Sequence, residues 1–308
     1  MTLMDIAERI KSMDIRGAGK IAREAAAALR DHAASLPKTG LPSFLTEMKK
    51  AEQILLATRP TAISLPNAVR ITLRGIAGAE TEDDARRMVQ NQADAFIQSS
   101  NAALNKIAEI TAARIRDGDT VMTHCNSSAA LAGIIRAKEQ GKDITVFATE
   151  VRPWNQGRIT IKTLNDHAIP TNFIVDSAVR TFMPEVDLVI VGADAVTVNG
   201  AVVNKIGTSQ IALSAKEARK NLIVAAETYK FAPQTIFGNF IEIEDRSSSE
   251  VLPDDILRTL PYVKVRNPVF DVTPAEYIDL IATEVGAVPP QLAYYIMKDH
   301  LGWNPEEI

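Results

Sequence analysis

Hydrophobic and polar positions follow one rhythm up to about residue 117 and another beyond it. Residues 20–34 are dominated by Ala, Lys, Arg and Glu, all strong helix formers, and predict a helix. Pro37, Gly40 and Pro42 break that segment. Residues 43–58 predict a second amphipathic helix, capped by Ser43 and ended at Arg59, which the following Pro60 pushes out of helical geometry. Residues 80–116 carry neither Pro nor Gly and keep a helical period throughout, which predicts one long linking helix. Past Gly118 short apolar runs appear at residues 120–123, 144–148, 172–175, 188–191 and 222–226, rich in β-branched side chains. Between them, stretches such as 129–140 and 209–219 are helical in period. Nearly continuous apolar strands alternating with helices predict a doubly wound parallel sheet buried on both faces. Runs at residues 240–243 and 262–265 predict additional edge strands. The expected organisation is a helical N-terminal domain, residues 1–117, followed by an α/β domain, residues 118–308.

Composition narrows the chemistry. The chain has 308 residues, 46% hydrophobic and 23% charged, as in ordinary globular proteins. Its net charge of −4, from 34 basic and 38 acidic side chains, lacks the basic field of a nucleic-acid binder. One cysteine and four scattered histidines supply neither an internal disulfide nor a closed zinc site. No run approaches the roughly 18 apolar residues of a membrane span. The N-terminal segment is charged and has no apolar core of a secretory signal, so the expected location is the cytoplasm.

Open parallel sheets bind ligands beyond the carboxyl ends of their strands. Reactive side chains gather at those ends here: His124-Cys125-Asn126-Ser127-Ser128 after the first predicted strand, Glu150-Val151-Arg152-Pro153 after the second, Asp176-Ser177 after the third, Gly192-Ala193-Asp194 after the fourth and Glu227-Thr228-Tyr229-Lys230 after the fifth. Cys125 is the sole thiol. A lone cysteine is as readily a small buried hydrophobe as a functional group. This one stands just before a predicted helix, whose start favours a thiolate and predicts a lowered pKa. Asp194 is either a surface strand terminator or a partly desolvated general acid. His124 is more often a packed, backbone-bonded residue than a catalyst.

Two glycine-containing segments are candidate anion sites. Arg16-Gly17-Ala18-Gly19-Lys20 lacks the spaced glycine, the hydroxyl and the preceding strand of a Walker loop. It still places Arg16 and helix-start N–H groups where a phosphate could sit. Asn204-Lys205-Ile206-Gly207-Thr208 offers an amide, a cation and helix-start donors before the helix at 209–219. No G-x-S-x-G elbow, HExxH, paired CxxC or G-x-G-x-x-G fingerprint occurs.

In order along the chain, Arg16-Gly17-Ala18, Arg59-Pro60-Thr61-Ala62, Thr123-His124-Cys125-Asn126, Glu150-Val151-Arg152-Pro153, Gln156-Gly157-Arg158, Gly192-Ala193-Asp194, Asn204-Lys205-Ile206-Gly207-Thr208 and Glu227-Thr228-Tyr229-Lys230 resemble one family. It is the sugar-phosphate isomerases related to the regulatory subunits of the eukaryotic initiation-factor exchange complex. Residues 198–205 and 227–231 are similar to the archaeal branch that interconverts ribose 1,5-bisphosphate and ribulose 1,5-bisphosphate, feeding nucleotide-derived sugar to Rubisco. They are less similar to the methylthioribose-1-phosphate branch, whereas residues 267–274 do not discriminate. The resemblance implies a Rossmann-like C-terminal domain, no metal or redox cofactor, and assembly as a homo-oligomer, a dimer or trimer of dimers. It implies that Cys125 is the catalytic thiol and Asp194 the catalytic acid. It places Arg16, Gly17, Ala18, Gly19, Arg59, Ser127, Ser128, Ala129, Asn204, Lys205 and Lys230 in contact with substrate. Methylthioribose-1-phosphate isomerisation and a non-catalytic regulatory role remain the alternatives. The second is disfavoured because Cys125 and Asp194 are both present.

Overall fold

The computed structural model describes residues 1–59, 62–237 and 241–301. The chain divides into two compact units, Met1–Ala103 and Leu104–Ile308. The first unit is helical: α1 Leu3–Lys11, α2 Ala18–Ser35, α3 Leu41–Leu56, α4 Ser64–Leu73 and most of α5, Glu82–Ala112, inside which the division falls. Its core joins one apolar stripe from each helix, with Ile10, Leu29, Met48, Leu55, Leu65 and Val89 fully or almost fully buried. Thr2 opens α1 with a capping box, its hydroxyl accepting from the Asp5 N–H while the Asp5 carboxylate accepts from the Thr2 N–H. The expected cap at Ser43 is not formed: α3 starts at Leu41 behind Gly40, and Pro42 sits in its first turn, where the missing N–H costs nothing.

In the second unit the chain continues as β1 Thr120–Thr123, α6 Ser128–Glu139, β2 Thr145–Thr149, α7 Gly157–Asp166, β3 Thr171–Ile174, α8 Val179–Phe182, β4 Leu188–Gly192, β5 Ala195–Val196, β6 Val202–Lys205, α9 Thr208–Glu217, β7 Asn221–Ala225, α10 Asp254–Leu257, β8 Phe270–Thr273, β9 Leu280–Thr283, β10 Gly286–Val288 and α11 Ala293–Leu301. Among the described residues these strands form two sheets. The larger has the order β10-β9-β7-β4-β1-β2-β3, parallel except for the β9–β10 pair. The smaller is antiparallel, β5-β6-β8, with Asn204 opposite Asp271 and Lys205 opposite Phe270.

Every residue of β4 is buried, as are the last four of β7, which explains their unbroken apolar sequence. One face of the sheet packs Val121, Val146, Ile190 and Ile223 against Ile107, Ile134 and Leu164. Gly133 lets α6 approach α5 closely, since a Cβ there would stand 2.4 Å from Thr111 Cγ2. The extra edge strands expected at 240–243 and 262–265 are not found: Phe240 lies outside the described residues, residues 241–243 and 262–265 are irregular, and Tyr262 is fully exposed. The sheet edge is instead made by β9 and β10. No helix among the described residues is long and apolar enough to cross a membrane.

Candidate active site

From β1 the sheet is built outward in two directions, through β2 and β3 on one side and through β4, β7 and β9 on the other. Where strand order reverses, the flanking loops diverge and leave a crevice at the carboxyl ends. Cys125 follows β1 and Asp194 follows β4, so the two residues stand on either side of that reversal. Their loops meet at Gly192, where a Cβ would lie 2.3 Å from Ser127 Oγ. Only a glycine at the end of β4 lets the start of α6 come this near.

The β1–α6 turn is held from several directions. Cys125 has a left-handed backbone, φ 66°, and its carbonyl accepts from Thr160 Oγ1 at 2.7 Å. Ser127 caps α6, its Oγ accepting from the Ala130 N–H at 3.3 Å. Among the described residues the N–H groups of Ser128 and Ala129 meet no protein acceptor, leaving an open helix start. His124 is buried, with Nε2 2.8 Å from the Ile206 carbonyl and Nδ1 2.6 Å from Thr149 Oγ1. A carbonyl only accepts, so Nε2 carries the proton and Nδ1 accepts from the Thr149 hydroxyl. Burial pushes the His124 pKa down, which keeps the ring neutral, so this residue packs and braces.

Burial pushes the Cys125 thiol up to about 11, opposed by Lys205 and the Asn126 N–H and reinforced by Asp194 and Asp176. This corrects the lowered pKa expected from the neighbouring helix. The thiol precedes the cap residue Ser127 by two positions, and in the resting site desolvation outweighs its cation and amide. Lys205 is drawn below the usual lysine range by burial, while Cys125 and Asp194 raise it. Its ammonium lies 5.2 Å from the centroid of Phe270. Cys125, Lys205 and Asp194 thus form one electrostatic cluster. Asp194 is half-buried and anchored by its N–H to the Val203 carbonyl at 2.9 Å.

Asn204 is buried and donates through Nδ2 to Thr208 Oγ1 at 3.0 Å, and that hydroxyl donates to the Lys205 carbonyl at 2.6 Å. The anion platform expected at 204–208 is different in kind. The Gly207 N–H reaches Asp271 Oδ2 at 2.7 Å and the Ser209 N–H reaches both Asp271 oxygens at 3.1 Å, so the start of α9 already holds a carboxylate. Lys230 is buried and paired with Glu227 at 2.8 Å, and Tyr229 Oη donates to the other Glu227 oxygen at 3.0 Å. Burial alone would raise the Glu227 carboxyl, yet Lys230 and Tyr229 hold it below the usual carboxylate range. A shallow recess with room for about 10 Å³ opens beside Lys205, walled by Arg152, Trp154, Arg246, Glu250 and Asn267. Arg246 stacks on Trp154 at 4.9 Å and pairs with Glu244 at 3.0 Å.

In the first unit, Gly17 is the N-cap of α2 with φ 86°, a conformation suited to glycine. Among the described residues the N–H groups of Ala18, Gly19 and Lys20 have no protein acceptor. Arg16 Nε donates to the Met13 carbonyl at 2.5 Å and Arg59 Nη1 lies 3.3 Å from Met13 Sδ, which brings both guanidinium groups to one residue. Sequence reasoning missed Asp271 and Thr160. Each acts on residues distant in sequence, and neither carries a local motif.

Residues 14–290 match the initiation factor 2 subunit family, and the chain belongs to that family. The ribose 1,5-bisphosphate isomerase of Methanocaldococcus jannaschii is 52% identical over 308 residues, which cover 98% of each chain. Among solved structures, Pyrococcus horikoshii OT3 translation initiation factor eIF-2B is 32% identical, with a TM-score of 0.80 over 94% of this chain and 97% of its own. The 5-methylthioribose 1-phosphate isomerase from Pyrococcus horikoshii OT3 is 29% identical, with a TM-score of 0.80 over 98% of this chain and 88% of its own.

Proposed function

We propose that the chain is an aldose–ketose isomerase that interconverts ribose 1,5-bisphosphate and ribulose 1,5-bisphosphate. The observation that carries this reading is the cluster of thiol, ammonium and carboxyl groups, Cys125, Lys205 and Asp194, at the reversal of the sheet. In this reading Asp194 acts as the acid and gives a proton to the ring oxygen as the bond from that oxygen to C1 breaks, with O1 keeping its phosphate so that no free aldehyde forms. Cys125 takes the C2 proton as thiolate, and the freed electron pair forms the C1=C2 bond of an enediolate whose O1 stays phosphorylated. The thiol returns a proton to C1 while the C2 hydroxyl proton passes to the Asp194 carboxylate, which yields the ketose and restores both groups. Because burial holds the thiol near 11, the thiolate is a minor species stabilised by Lys205. The same fact favours a second route, in which neutral Cys125 donates a hydrogen bond while hydride passes from C2 to the electron-poor C1 and the C2 hydroxyl gives its proton to the Asp194 carboxylate. Turnover in deuterated water separates them: the enediolate route washes solvent deuterium into the product, and a hydride shift retains the substrate hydrogen.

Two phosphates bring roughly −3 to −4 charge at neutral pH. The open N–H groups of Ser128 and Ala129, the capped turn at Ser127, and Asn204 and Lys205 suit one such group. Lys230, Arg16, Arg59 and the loop Gly17, Ala18 and Gly19 belong to the same proposal as substrate contacts. Arg152 and Arg246 beside Lys205 favour an anion over a thioether. We assign the enzyme to the cytoplasm, acting as a homo-oligomer. The test is turnover of both sugar phosphates followed by NMR. The bisphosphate is expected to react and methylthioribose 1-phosphate to react poorly. The reverse order, or tight binding without turnover of either, refutes the assignment, and near-native turnover by Cys125→Ser refutes the role of the thiol.

A further inference from the structure

Asp271 stands where a ligand anion would stand at any other helix start. It projects from β8 across to the first turn of α9, accepting the Gly207 and Ser209 N–H groups, and it lies in register with Asn204. Gly207 is left-handed at φ 102°, and the space a Cβ would fill lies 3.1 Å from the His124 ring. The turn is therefore confined between an imidazole and a carboxylate, and it carries Asn204 and Lys205 at its entrance. We propose that Asp271 is a positioning residue: its carboxylate locks the 204–207 turn, so that Asn204 and Lys205 meet the substrate anion, and fills the α9 helix start so that the anion cannot bind there. This rests on the isomerase reading above.

The lock is sensitive to protonation. Burial pushes the Asp271 carboxyl up to about 6, opposed by the Ser209 and Gly207 N–H groups. The other charged or titratable groups on the elements around it are Lys205 on β6, His124 before α6, Lys216 and Glu217 on α9, and Glu276 after β8. A carboxylate accepts both N–H groups, whereas a carboxylic acid turns one of its oxygens into a donor and loses that grip. Hydrogen bonds to the charged form are also the stronger ones.

The experiment compares the KM for ribose 1,5-bisphosphate of the wild type and Asp271→Asn from pH 5 to 8.5. Substrate phosphates also titrate near pH 6, and taking the ratio of the two KM values removes their contribution. The ratio is expected to be about tenfold at pH 8, as for one lost charge-assisted bond, and to fall to about twofold by pH 5, with kcat changing much less. A ratio independent of pH, or a loss confined to kcat, overturns the proposal. Should Asp271→Asn fail to fold, Ser209→Pro removes one donor at a first-turn position that tolerates proline, and the same trend is expected at about threefold amplitude. The Gly207 and Ser209 amide resonances give a reading that needs no turnover. In the wild type both are expected to follow one titration near pH 6. If they do not titrate, the lock is refuted; if they titrate while ribose 1,5-bisphosphate is not turned over, only the substrate assignment is refuted.

Discussion

With a single cysteine in the chain, alkylation reports directly on the ionisation of Cys125. The thiolate is the nucleophile, so the rate of reaction with iodoacetamide follows the thiolate fraction. With the thiol held at about 11, that fraction is about one in ten thousand at pH 7, roughly a hundredfold below a thiol at its ordinary value. The rate measured in brief pulses by intact-mass spectrometry is expected to climb about tenfold per pH unit through pH 10 and to level near 11. Restricted access of the reagent lowers the rate by the same factor at every pH and leaves the midpoint to the thiol's ionisation. Two variants give shifts of opposite sign. Lys205→Gln removes the charge that draws the thiol down, so labelling slows at neutral pH, where the ammonium is present. Asp194→Asn removes a carboxylate that pushes the thiol up, so labelling quickens. A plateau at or below pH 9 in the wild type, or shifts of the wrong sign in the variants, refutes the account of a desolvated thiol between ammonium and carboxylate.

Gly192→Ala places a methyl 2.3 Å from Ser127 Oγ, and overpacking of this kind costs about 1–3 kcal/mol, read as a lower denaturation midpoint together with reduced kcat/KM. Gly133→Ala drives a methyl to 2.4 Å from Thr111 Cγ2, so a loss of similar size is expected in chemical denaturation, with KM unchanged. Glu227→Gln leaves the buried Lys230 ammonium without its counter-charge, at about 3–5 kcal/mol. The Glu227 carboxyl is lower in the folded chain than its ordinary 4.5, so its stabilisation is present above that pH and lost as the pH falls below it. The stability gap between wild type and Glu227→Gln is therefore expected to narrow in acid melts.

Much of the α/β architecture is legible in the sequence because burial on both faces leaves a plain signature. The apolar runs at 120–123, 172–175, 188–191 and 222–226 fall within a residue or two of β1, β3, β4 and β7. The placing of Cys125 and Asp194 at adjacent strand ends follows from those strands and one rule of sheet topology. What escapes the sequence depends on distant partners. The runs at 240–243 and 262–265 have the right residue types but no neighbouring strand, and the edge goes to residues 280–288 instead. Pro42 looks like a breaker yet occupies the first turn of α3, because proline is disfavoured inside a helix and tolerated at its start. Asp271 caps a helix start 62 residues earlier in the chain, and no local pattern announces that bond. The thiol offers the same lesson. The helix after Cys125 is visible in the sequence, whereas the desolvation and the two carboxylates that outweigh it are not.

Asn204 and Lys205 ride on the β5–β6 hairpin, outside the seven-stranded sheet. A one-residue slip of a strand inside that sheet would turn each of its side chains to the opposite face. The tip of that hairpin is tied at two points, by Gly200 pressed against the Pro290 carbonyl and by the Val198 N–H donating to Thr235 Oγ1 at 2.9 Å. Asn204 and Lys205 stand at the opposite end of β6 from that tip, in register with β8, so the tip can change in length without disturbing the pairing that holds these two side chains.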